Sequence, residues 1–162
     1  MPIKTAANRG KTAEKKVSEI LKRAEATRIW FTAGRVPDAH AAGGRFTPQA
    51  GDFAAYSRVR TMPDGLYLSR NFLVEVKELK HEFRLPFASY SADKVARVQK
   101  RVLAGSEAIV AILHTTTGLW RLVPFSVFND RSTGGSWDLR PFAPVAIETA
   151  LLEFMGLTKE AA

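Results

Sequence analysis

Apolar residues recur at helical spacing through Ala13, Val17, Ile20, Leu21 and Ala24, which predicts a helix over 12–26 with Thr12 as its cap. "RIWFTAG" then reads as a short strand ending at Gly34. From 34 to 51 the chain is rich in Gly, Pro and Ala and has no period, which predicts a mobile loop. "DFAAYSRVR" and "LYLSRNFLVEVKEL" read as two strands, joined at "TMPDG" where Asp64-Gly65 is a turn signal. Leu79 to Tyr90, with Pro86, is irregular. Ser91 to Leu103 reads as a second helix, capped by Ser91, with Val95, Val98, Val102 and Leu103 on its apolar side. "AIVAILHT" and "LWRLVPF" are strands flanking a turn at Thr117-Gly118; "NDRSTGGSWDLRP" is a loop, and Pro144 to Met155 suits a terminal helix. One helix, three strands, a helix and two strands predict a single α/β domain over 1–162, with a sheet of mixed strand direction.

One stretch breaks the pattern. "FLVEVKELK", Phe72 to Lys80, starts as a buried strand, yet carries a carboxylate, Glu75, and an ammonium, Lys77, inside the apolar run. Alternation puts Val74 and Val76 on one face and Leu73, Glu75 and Lys77 on the other. Charges buried without partners are costly. Either the two face water on a solvated edge strand, or they form a site in which the acid holds a divalent cation and the lysine orients a water. The spacing alone does not decide, because Glu14-Lys16 and Glu78-Lys80 repeat it. Only Glu75-Lys77 ends an apolar strand.

Composition narrows the chemistry. In 162 residues, 46% are hydrophobic, which supports a folded core, and no apolar run is long enough to span a membrane. The basic start "MPIKTAANRGKTAEKK" lacks the apolar core of a secretory signal. With no cysteine, disulfides, thiolate nucleophiles and cysteine zinc sites are excluded, and a reducing cytoplasm fits (a host's, if the chain is viral). Three scattered histidines make a poor histidine metal site. The net charge of +8 points to a polyanion, of which nucleic acid is the commonest, or to a merely soluble basic protein.

Two further acids bear on the choice. Asp52 follows Gly51 at the start of the preceding strand, where strand pairing would bring it beside Glu75; close carboxylates call for a cation, and oxygen ligands suit Mg²⁺ or Mn²⁺. Asp52 is equally at home as a turn residue beside glycine. Glu14 lies early in the first helix, behind "NRGK", as a third acid or as a partner of the helix dipole.

Together these motifs resemble the PD-(D/E)xK nuclease superfamily, and within it the Holliday-junction resolvases of the bacterial RecU and archaeal types. The resemblance runs over about residues 8–128. It rests on "NRGKTAE", on Asp52 in "PQAGDF", on "FLVEVKE", on Leu85-Pro86 in "FRLPF", and on a closing strand, turn and strand that end at Pro124. It implies a restriction-endonuclease-like mixed sheet flanked by helices. It also implies a homodimeric, Mg²⁺- or Mn²⁺-dependent endonuclease resolving four-way junctions by paired nicks. Glu14, Asp52 and Glu75 would be the acidic set, with the carbonyl of Val76 as a further metal ligand and Lys77 as the catalytic lysine. Lys94 stands where RecU proteins carry a glutamine, and Thr32 near the place of an archaeal-type serine. Arg9, Lys11, Thr32, Arg35, Arg45, Lys80, Arg84, Lys94, Arg97, Lys100 and Arg101 are the candidate DNA contacts. The 34–51 loop occupies the place of the RecU stalk, with Phe46 as a base contact or a loop anchor. The first helix and the Trp120 strand are candidates for a dimer contact or for core. The alternatives are a related nuclease acting on other DNA, by nicking, restriction-like or exonucleolytic cleavage, and a catalytically inactive DNA-binding module.

Overall fold

The computed structural model describes residues 11–36, 51–61, 63–65, 67–131 and 134–158. Helix α1 (Lys11–Thr27) leads into β1 (Phe31–Arg35), β2 (Phe53–Thr61) and β3 (Tyr67–Leu79). After β4 (Arg84–Pro86) come α2 (Ala92–Leu103), β5 (Ser106–His114), β6 (Trp120–Pro124), β7 (Ser136–Asp138) and α3 (Ile147–Phe154). Five strands form one sheet in the order β1-β2-β3-β5-β6, while β4 and β7 pair separately. Only β3 and β5 run parallel, with α2 as the crossover; the other pairs are antiparallel. The sheet is therefore mixed, as its pattern predicts.

Two cores lie on its two faces. On one, α1 and α3 cover Phe53, Ala55, Phe72, Val74, Val76, Ile109 and Ala111, and all five apolar residues read from the α1 period are buried there. Trp120 packs against the same core. On the other, Leu73, Val110, Ile112 and Val123 meet α2 through Val95 and Val98, together with a group of rings: Tyr90, Phe125, Phe128 and Trp137. Tyr90 and Phe128 centroids are 5.3 Å apart, and Phe128 and Trp137 5.0 Å apart at 84°. Burying both faces explains why the strand reads as continuous apolar sequence up to its two charges.

Several local expectations need correction. The helix starts at Lys11, so Thr12 lies inside it. Gly34 and Arg35 belong to β1, paired with Ala54 and Phe53, and the expected loop at 34–51 falls from 37 to 50 outside the described residues, Phe46 included. Ser91 does cap α2, its Oγ accepting from the Lys94 amide, but Val102 and Leu103 are exposed at the end of that helix. The supposedly irregular Leu79–Tyr90 stretch and the loop after Asn129 each contribute a three-residue strand, pairing Leu85 with Trp137. Phe125 begins a 3-10 turn rather than ending β6. Val145 donates its amide to Trp120, and this bridge delays α3 to Ile147.

Candidate active site

The antiparallel register sets Phe53 opposite Val74, so Asp52 and Glu75 are the next pair along. The ladder continues through Asp52, whose amide donates to the Val74 carbonyl at 3.0 Å and whose carbonyl accepts from Val36 at 2.9 Å. Gly51 makes this entry possible: its φ of +81° is left-handed, and the chain there runs against the Val74 carbonyl. The Asp52 carboxylate turns along the sheet edge, and its Oδ2 accepts the Val76 amide at 2.6 Å. The carbonyl of Val76 faces the same strand edge as its amide, beyond the last β2 pair.

Glu75 is 2% exposed. Its Oε1 accepts from Lys94 Nζ at 2.6 Å and from Lys77 Nζ at 3.1 Å, while Oε2 is buried with no hydrogen-bond partner among the described residues. Tyr90 covers the group: its ring centroid is 4.8 Å from the Lys77 ammonium and 5.8 Å from that of Lys94. The Tyr90 hydroxyl is also buried and unpartnered among the described residues, and its pKa is pushed well up, by burial first and then by the charges of Glu75 and Asp52. Burial likewise raises Asp52 from 3.8 to about 6, aided by Glu75 and opposed by the Val76 amide, Lys94 and Lys77.

Asp52, Glu75, Lys77 and Lys94 therefore converge, with the Val76 peptide between the two acids. Glu14 does not join them. It sits at the start of α1 in an ion pair with Arg35, and no group of three or more Asp, Glu, His or Cys side chains able to hold a metal forms among the described residues. The contact anchoring this end of α1 is instead made by Glu78, which accepts the Ala13 amide at 2.8 Å. Thr32 gives its hydroxyl to Glu25. Lys80, Arg84, Lys100 and Arg101 are exposed, and Arg97 is half-buried. Lys94, Arg97 and Arg101 share one face of α2, at steps of three and four residues. Arg9, Arg45 and the Lys11 side chain lie outside the described residues.

Sequence reasoning missed Tyr90 altogether, and took Lys94 for a phosphate contact rather than a partner of Glu75. The available signal was the step of four from Tyr90 to Lys94 across the Ser91 cap. The donor set fits a hard divalent cation: two carboxylates lie on either side of the Val76 peptide, and one buried carboxylate oxygen lacks a partner among the described residues.

The solved structure of Archaeoglobus fulgidus Hjc, a Holliday junction resolvase from an archaeal hyperthermophile, has a similar fold. The match has a TM-score of 0.51 and 22% sequence identity, and it covers 91% of this chain and 100% of that chain. The likeness is one of fold: a mixed α/β sheet flanked by helices. No protein-family model matches the sequence, and no curated protein matches it. Among the described residues, no helix is long and apolar enough to cross a membrane.

Proposed function

We propose that this chain is a divalent-metal-dependent nuclease of the PD-(D/E)xK kind that cuts four-way DNA junctions. The observation that carries the reading is the buried Glu75, with one oxygen held by two lysines and the other unpartnered, beside an Asp52 whose charge its surroundings resist. A resolvase-like fold and a net charge of +8 support it.

In this reading Asp52, Glu75 and the Val76 carbonyl would hold Mg²⁺ or Mn²⁺, which would supply charge neutralisation at the scissile phosphate and a more acidic water. Lys77 orients the attacking water and lies close enough to Glu75 to exchange one anionic partner for another. Lys94 holds Glu75 in place through its ammonium, and Tyr90 closes the group from solvent on the protein side. Glu14, tied to Arg35, stands outside this group. Paired nicks at a symmetric junction follow from a two-fold homodimer.

The test is cleavage of a synthetic four-way junction, beside linear duplex and flap controls, in Mg²⁺ and in EDTA. Paired nicks on the junction alone, lost in EDTA, are the expected result. Equal cutting of the controls would move the reading to a nuclease of another DNA shape, and binding without cutting to an inactive DNA-binding module.

A further inference from the structure

The face of the sheet that carries Glu75 continues past the site into an open groove of about 350 Å³. Asn71 and Leu73 precede Glu75 at two-residue steps on that face, and Tyr56 and Ala54 are their cross-strand partners on β2. Asp52 and Tyr56 are four strand residues apart, about 13 Å. Gly34, opposite Ala54, completes the floor, and a Cβ added there would meet nothing within 4 Å. The opposite wall is α2. Because Lys94 meets Glu75, Arg101 lies about 10 Å further down the groove, two turns on.

Tyr56 is 50% exposed, and no ring packs on it among the described residues. Its cross-strand neighbours, Thr32 and Asn71, offer it no apolar partner. Among the described residues no carboxylate lines the groove, and Arg101 makes no ion pair. A bare aromatic face, an unpaired guanidinium and small polar groups at Asn71 and Ser106 are the elements that bind one nucleotide: the ring stacks on the base and the arginine meets the phosphate. The volume suits a single nucleotide.

We propose that this groove is a subsite for one unpaired nucleotide of the DNA substrate, stacked on Tyr56, with its phosphate at Arg101. It rests on the nuclease reading for the identity of the substrate. An exposed base near the cut is a feature of a branch point or a frayed end and not of intact duplex, so the groove adds a means of selecting structure that the metal site lacks.

The test uses the full chain in EDTA, with four-way junctions carrying 2-aminopurine at successive positions near the branch. Binding should quench the probe at one or two positions a few nucleotides from the cut. Tyr56→Ala should abolish that quench and weaken binding about 5- to 100-fold, whereas Tyr56→Phe should keep both. Gly34→Leu, which fills the floor and leaves the ring in place, should lose the quench too. Arg101→Ala should lower the slope of log affinity against log salt by about one. Unchanged quench and affinity in Tyr56→Ala would overturn the proposal. So would a change of sedimentation in Tyr56→Ala and Gly34→Leu without loss of DNA binding, because the face would then hold a second copy of the chain. Failure of the nuclease reading is separate: it would be absence of Mg²⁺-dependent, Glu75-dependent cleavage with the quench intact.

Discussion

Replacing Asp52 with asparagine should stabilise the metal-free protein while removing its activity. In the folded chain Asp52 is raised from 3.8 to about 6, by burial and then by the charge of Glu75. Such a shift means that the folded state holds the proton more tightly than the unfolded state does. Below about pH 4 both states are protonated and nothing is lost. Between about 4 and 6 the unfolded state ionises first, so stability falls as pH rises; above about 6 the penalty is full and constant. The shift corresponds to about 3 kcal/mol at 1.36 kcal/mol per pH unit, and partial exposure of Asp52 to screening water brings this to about 2 kcal/mol. Asparagine has nearly the same shape, and its Oδ1 can accept the Val76 amide that Asp52 Oδ2 accepts at 2.6 Å. Urea unfolding in EDTA at pH 4, 5, 6 and 7.5 measures the difference between the two proteins, which cancels the titrating groups that do not interact with Asp52. The variant should gain on wild type from pH 4 to 6 and lead by about 2 kcal/mol at pH 7.5. Saturating Mg²⁺ should close most of that gap, by binding the folded wild type alone. A variant less stable than wild type at pH 7.5, or a difference independent of pH, would refute the reasoning.

Further outcomes follow from the same geometry. Glu75→Gln and Lys77→Ala should each lower single-turnover junction cleavage by roughly 100-fold or more, with junction affinity in EDTA within a few-fold of wild type. Lys94→Ala leaves Glu75 with Lys77 as its one ammonium partner and should cost about 1–2 kcal/mol by urea midpoint. Tyr90→Phe removes a buried, unpartnered hydroxyl and should change stability by less than about 1 kcal/mol, in either direction, whereas Tyr90→Ala empties the ring cluster and should cost about 3–5 kcal/mol.

The parts of the fold written in local sequence were readable. The alternation in Phe72–Lys80 separated Val74 and Val76 from Leu73, Glu75 and Lys77, and those residues do divide between the two cores and the site. The Ser91 cap and the α1 period are equally local signals. Long-range partners were not readable. A strand as short as Arg84–Pro86 has no period of its own and exists because Trp137, about fifty residues later, lies opposite Leu85. Val102 and Leu103 continue an apolar helical pattern, but among the described residues no core packs on them at the end of the helix, and both are exposed. Lys94 looks in sequence like any lysine on a basic helix face; only the parallel crossover from β3 to β5 brings it within 2.6 Å of Glu75. The pairing of Glu14 with Arg35 depends in the same way on how α1 lies against β1.

The measurement closest to the centre of these claims is calorimetric titration of Mn²⁺ into the protein–junction complex in Ca²⁺-free buffer, for wild type, Asp52→Asn and Glu75→Gln. Saturable binding in wild type that both substitutions eliminate is the expected result. Binding of equal strength and number in all three proteins would contradict the assignment of Asp52 and Glu75 as the residues that hold the ion.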